Sequence, residues 1–285
     1  MRLANRPVLL AVCAALSGAA AVGCAPQDAS SDAAAPASCA PGKLDTVRAG
    51  KLTVGTDKPA YAPWFQGDDP ANGKGFESAV AYAVADRLGY PRSAVGWQTV
   101  PFNNAFAPGE KKFDFDINQI SISASRKQAV AFSSGYYDVR QAVVALKGSK
   151  AAGAKSIADL KGVRLGAQVG TTSLDVINDT IRPDRRPAVY QKNDFAKSAL
   201  KNGQVDAILT DLPTAFYITS AEVKDAKVVG QFADTGDEQF GLVLDKASRI
   251  TGCVRKAVDA LRKDGTLAAL EKKWLADAAH APVLK

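Results

Sequence analysis

Along residues 113–118 apolar and polar side chains alternate one for one, with Phe113, Phe115 and Ile117 set against Asp114, Asp116 and Asn118. That period of two predicts a strand with one buried face and one wet face. Polarity then continues without alternation through Gln119, Ser121, Ser123 and Ser125 to Arg126. A helical period appears soon before it: Val80, Ala83, Val84 and Leu88 recur on one face, and Gly89 supplies the stop. Short apolar runs predict strands at 51–56, 95–100, 163–167, 207–210 and 228–232, with extended segments at 141–146 and 239–244. Helices are predicted from Phe102, from the turn at 168–173, and over 195–202 with Gly203 as its end. The chain closes with an amphipathic helical pair over 253–275, broken at Asp264-Gly265.

The first forty residues follow none of these patterns. Arg2 and Arg6 precede an apolar run at 8–22, too short to span a bilayer and built like a secretory signal peptide. Residues 25–41 are small, polar and Pro-bearing, which predicts a flexible tether. Of the four cysteines, Cys13 lies in the signal and Cys24 closes Ala21-Val22-Gly23-Cys24. That tetrad resembles a lipobox, whose cysteine is lipidated after cleavage; ordinary cleavage near Ala21 or Ala25 is the alternative. Cys39 and Cys253 remain, and in an exported chain the simplest expectation is a disulfide between them, the alternative being two free thiols.

Charge narrows the picture further. Loss of Arg2 and Arg6 with the signal leaves 34 basic against 29 acidic residues, so the net charge falls from +7 to +5. The excess is spread along the chain without aromatic interleaving, which argues against nucleic acid. No His, Cys and carboxylate spacing suits a metal, and the single histidine, His280, lies in the tail. No cofactor is implied.

Three places carry candidate chemistry. Arg126 follows a strand end rich in hydroxyls, an arrangement that suits a small carboxylate and equally suits a solvated surface turn. Gln168-Val169-Gly170-Thr171-Thr172 opens a helix, presenting unpaired N–H groups and hydroxyls to an anion, or simply capping it. Asp211 stands at the end of the predicted 207–210 strand, poised for a cation.

The run Asp114, Ser121-Ile122-Ser123, Arg126, Val130, Phe132-Ser133 and Tyr136 resembles the core motif of the extracellular solute-binding proteins of family 3, which feed polar amino acids to ABC importers. Thr56-Asp57 with Tyr61, Gly75-Phe76-Glu77, and residues 264–275 (DGTLAALEKKWL) match further family elements in order. The chain departs from the pattern with Ser123 for Thr, Gly135 for Pro, Ala79 for a second acid, and the unusually polar Asp116-Ile117-Asn118-Gln119.

The resemblance implies a two-lobed α/β fold of the periplasmic-binding-protein type (type II), with two crossover hinge strands. It divides the chain into a signal peptide (1–23), a lipidated tether (24–43), a discontinuous first lobe (44–140 and 236–285) and a second lobe (141–235). It implies a ligand set of Asp57, Tyr61, Phe102, Asn118, Gln119, Ser121, Arg126, Gln168, Thr171, Thr172 and Asp211. Ser121 and Arg126 take the ligand carboxylate and Asp211 its ammonium, while Asp57, Asn118, Gln119 and Gln168 face a polar or basic side chain. The expected partners are an amino acid and an importer permease, with the monomeric protein held at the outer face of the membrane through lipid on Cys24 alone. Two other functions fit the same features: an enzyme that dehydrates cyclic amino acids on this fold, and a ligand sensor without transport.

Overall fold

The structure, a computed structural model, describes residues 39–233, 237–275 and 281–285. The signal peptide, most of the tether, Cys13, Cys24, the expected boundary at 235/236 and His280 lie outside the described residues.

Two five-stranded sheets organise the chain. In the first, β1 (Leu52–Thr56) lies parallel to β2 (Val95–Thr99) on one side and to the two-residue β3 (Phe115–Asp116) on the other. Helix α1 (Phe76–Arg87) connects β1 to β2, and the short α2 (Phe102–Ala105) follows β2. After β3 come α3 (Ala124–Ala129) and β4 (Val130–Asp138), which leaves for the second sheet. Strand β10 (Gln239–Asp245) returns from it and inserts antiparallel between β3 and β4, giving the order β2-β1-β3-β10-β4.

The second sheet is built from β5 (Gln141–Leu146), β6 (Leu165–Gln168), β7 (Ala188–Tyr190), β8 (Ala207–Asp211) and β9 (Ala226–Gln231), in the order β7-β6-β8-β5-β9. Helices α4 (Thr172–Asp175), α5 (Asn193–Lys201) and α6 (Leu212–Tyr217) connect its strands. The closing pair, α7 (Thr251–Lys263) and α8 (Thr266–Leu275), packs on the first sheet. In α7 the buried positions Cys253, Val254, Ala257, Val258 and Leu261 form one apolar stripe, so the helix has a single way to lie down.

Each sheet has its own apolar clusters. Leu52, Val54, Phe76, Val84, Phe115, Phe240 and Leu261 belong to the largest, under the first sheet. Val143, Leu165, Ile177 and Leu209 fill one side of the second, and Val144, Leu200 and Ile208 the other. Between its strands the chain passes from one sheet to the other at residues 139–140 and 232–238, and it returns to the second sheet once more with the tail at 281–285. The two passages are bonded side by side, Val139 N–H to the Glu238 carbonyl at 2.9 Å and Phe232 N–H to the Gln141 carbonyl at 2.9 Å. Residues 141–146 are thus a full inner strand of the second sheet, and the crossover itself is shorter than the sequence suggests. A further tie between the sheets is the Trp64 indole, which donates to Thr214 Oγ1 at 2.8 Å while its ring packs in the first core.

Three expectations need correction. The 113–118 run is not half-wet: Asp114 and Asp116 are as buried as Phe113 and Phe115, because β3 lies inside the sheet with neighbours on both edges. Residues 39–43 are not loose, since Gly42 N–H donates to the Leu88 carbonyl at 2.9 Å and Gly89, at φ +79°, leaves no room for a Cβ beside Pro41 and Gly42. The last five residues do not join the first lobe. Val283 pairs with Gln231 on the free edge of β9, and Leu284 N–H donates to the Gln231 carbonyl at 2.9 Å.

Cys39 and Cys253 form the expected disulfide, fastening the end of the tether to α7 across 214 residues of sequence. Closing so long a loop stabilises the fold by up to about 5 kcal/mol on the chain-entropy account. A Cys39→Ser/Cys253→Ser double variant should therefore unfold several degrees below the wild type in a non-reducing thermal melt. Equal midpoints would show that the bond adds nothing.

Candidate functional site

The seam between the sheets encloses one cavity lined from both sides. Asp57 and Tyr61 follow β1, Phe102 opens α2, and Asn118, Gln119 and Arg126 follow β3. Gln168, Thr171 and Thr172 come from the β6–α4 turn and Asp211 from the end of β8. All of these stand at C-terminal ends of strands or just beyond, where an open α/β sheet exposes its ligand-binding rim. Ser121, the remaining residue of the expected set, adjoins them through its hydroxyl, 3.3 Å from Thr172 Oγ1. The cavity measures about 30 Å³. That is room for a water or two.

Arg126 is the best-held charge. Ser123 caps α3 and accepts from the Arg126 N–H at 3.2 Å, which sets the direction of the side chain. The guanidinium stacks 4.4 Å from the Phe106 ring centre and 5.9 Å from that of Phe102. One arm donates to the Ser121 carbonyl at 2.6 Å and the other to the Gly170 carbonyl at 2.8 Å, so a single side chain joins the two lobes. Gly170 has φ +74°, and a Cβ there would strike Asn103, which explains the glycine in this turn. Thr171 caps α4, accepting from Leu174 N–H at 3.2 Å and donating to the Gln168 carbonyl at 2.8 Å.

The carboxylates are arranged around Arg126 without pairing directly to it. Asp211 accepts from Gln141 Nε2 at 2.8 Å, and burial, reinforced by the nearby Glu238, pushes its carboxyl up to about 8. Glu238 accepts from the Ser121 hydroxyl at 2.7 Å and lies within 3.3 Å of the same Gln141 nitrogen. Gln141 is itself fixed by the Ser173 hydroxyl at 2.6 Å. Behind this group Glu77 is fully buried, accepts from Gln119 N–H at 2.7 Å and bonds the Tyr136 hydroxyl. Burial lifts it to about 7. Gln119 needs that support, because it holds φ +49°, a conformation rarely taken outside glycine.

At the other end Asp57 accepts from the N–H groups of Lys58 (2.6 Å) and Phe102 (3.3 Å). Burial, then the carboxylate of Asp194, pushes the Tyr61 phenol upward, and the Lys197 ammonium lies 5.2 Å from its ring.

Sequence reasoning missed Lys192 and Asn193, which also line the cavity, and the Gln141–Glu238 pair at the crossovers. The first two stand directly after β7 at the start of α5, so the strand-end rule would have found them had β7 been recognised. A three-residue strand gives little periodicity to recognise.

The family model for bacterial extracellular solute-binding proteins, family 3, matches residues 52–277. This chain belongs to that family. It is 31% identical over 245 residues to the L-cystine-binding protein TcyJ of Escherichia coli, covering 82% of this chain and 86% of that one. It is also 31% identical over 245 residues to the lysine/arginine/ornithine-binding periplasmic protein of Escherichia coli, covering 81% and 87%. Among solved structures it resembles an ancestral arginine-binding protein bound to arginine, with a TM-score of 0.66, 30% identity, and coverage of 79% of this chain and 97% of that one. The family 3 protein is therefore an α/β two-lobed solute-binding protein whose relatives bind amino acids outside the cytoplasm.

Two raised carboxyls make its stability sensitive to pH. The folded chain holds the Asp211 proton up to about 8, against an ordinary 3.8, and the Glu77 proton up to about 7, against 4.5. Protonated, each is compatible with burial, so stability present at low pH is lost as pH rises from the ordinary value through the raised one. Relative to Asp211→Asn, the melting temperature of the ligand-free wild type should fall between about pH 4 and pH 8. For Glu77→Gln the corresponding fall should be confined to about pH 4.5–7. A difference that stays flat across the range would mean that the carboxyls ionise normally.

Proposed function

We propose that this protein captures a polar amino acid in the cleft and delivers it to an ABC importer, with Arg126 taking the α-carboxylate and Asp211 the α-ammonium. The observation that carries the reading is that a guanidinium and a carboxyl face one cavity from different lobes, at strand ends. A ligand bearing both charges on one carbon supplies each lobe with what it lacks. Ser121 and the Thr171–Thr172 turn complete the carboxylate site. Asp57, Tyr61, Phe102, Asn118, Gln119 and Gln168 enclose the side chain. Relatives named for cystine and for lysine, arginine and ornithine support a polar or charged side chain.

Export and tethering belong to the same proposal. An Arg-led apolar segment and the lipobox-like 21–24 tetrad support lipid on Cys24, which would keep the monomeric carrier beside its permease at the outer face of the cytoplasmic membrane. A single acyl chain holds weakly, and more than one is needed for stable anchoring. Cys24→Ala should move the protein from the membrane fraction to the medium in a host that processes lipoproteins; unchanged fractionation would rule the anchor out.

The ligand assignment is tested by calorimetry across the amino acids. Removing one partner of a buried charge pair costs about 3 kcal/mol or more, so Arg126→Ala should weaken the best ligand at least a hundredfold. Arg126→Lys should not restore it, because a point charge lacks the planar two-armed fit. Asp211→Ala should still bind weakly, but small-angle scattering should show no further compaction on ligand addition. An Arg126→Ala protein that binds within tenfold of the wild type would overturn the carboxylate site.

A further inference from the structure

Arg126 and Asp211 account for one ligand head, yet the cavity holds a second pair of opposite charges, Asp57 and Lys192. Phe102 separates the two pairs. Its ring lies 5.9 Å from the Arg126 guanidinium, while its backbone N–H donates to Asp57 at 3.3 Å. The carboxylates that act on Arg126 are Asp175, Glu238 and Asp211, whereas Asp57 acts on Tyr61 and Asp116.

Asp57 and Lys192 come from different lobes and meet across one residue. Asp57 accepts from the Lys58 N–H at 2.6 Å, and the Lys192 ammonium donates to the Lys58 carbonyl at 2.7 Å. Neither forms an ion pair with a described side chain. A purely cationic ligand side chain would satisfy Asp57 and be repelled by Lys192. An anionic one would meet the reverse. A second ammonium and carboxylate on one carbon satisfy both at once, with the amides of Asn118, Gln119 and Asn193 at hand for the remaining donors and acceptors.

Building on the proposed amino-acid site, we infer that the preferred ligand is a diamino dicarboxylic acid, one zwitterionic head held by Arg126 and Asp211 and the other by Asp57 and Lys192. The spacer between heads runs past Phe102 and Tyr61. Lys192 is then the residue that separates this class from arginine and lysine.

The test is calorimetry on the full mature chain with 2,6-diaminopimelate, cystathionine and cystine against arginine, lysine, glutamine and glutamate. At least one of the first three should bind tenfold or more tightly than any of the last four. Lys192→Met should weaken the diamino dicarboxylic acids at least tenfold and strengthen arginine. Lys192→Arg, which keeps the charge, should preserve the wild-type order, and thermal melts should show both variants folded. If arginine or glutamine binds the wild type more tightly than every diamino dicarboxylic acid, or if Lys192→Met leaves the order unchanged, this inference fails while the amino-acid site stands. Silence towards every compound would overturn both.

Discussion

A buried guanidinium with no carboxylate at contact distance among the described residues is the constraint on which the rest of this site depends. Arg126 is nine-tenths buried, and the groups that hold it are two backbone carbonyls and the face of Phe106. Carbonyl dipoles and a ring face offset part of the lost hydration, but a full positive charge in such a place still calls for an anion. One of those carbonyls comes from each lobe, so the same side chain that calls for the anion also joins the two.

The crossovers carry the complementary half. Gln141 begins β5 and Glu238 directly precedes β10, so both sit where the chain bends between sheets. The amide of Gln141 reaches Asp211 and Glu238 together, and the Ser121 hydroxyl fixes Glu238 from the first lobe. With two carboxylates sharing one neutral donor, repulsion and burial favour the protonated form of Asp211. Under the proposed reading, an ammonium beside Asp211 would reverse that balance, since it offers the charge that the shared amide cannot.

Much of this architecture was legible in the sequence. The helical spacing of Val80, Val84 and Leu88 located α1, and the hydroxyl-rich run ending at Arg126 located the rim of the cleft, because period and strand-end chemistry are local properties. Ten of the eleven expected site residues line the cavity and Ser121 adjoins it. What failed was non-local. Asp116 looked solvated in an alternating run, yet it lies between two strands with neither carboxyl oxygen hydrogen-bonded, and burial raises it far above the ordinary carboxylate range. Alternation reports a difference between faces, but the depth of each face depends on which strands arrive later, here β10 from more than a hundred residues downstream. Glu238 escaped for the same reason, as its neighbours come from the first lobe and the opposite crossover, while Lys192 escaped because the short β7 before it left no period to read.

The pairing of the last residues with β9 gives the molecule a mechanical stop. Leu275 ends a helix packed on the first sheet, and Ala281 begins the stretch that lies along the second. Six peptide steps separate them, and a fully extended chain of that length reaches only about 20 Å. Whatever rotation the two crossovers permit, the lobes cannot carry those anchor points further apart while the tail stays docked. The docked tail thus sets an upper bound on how far the end of α8 and the edge of β9 can separate.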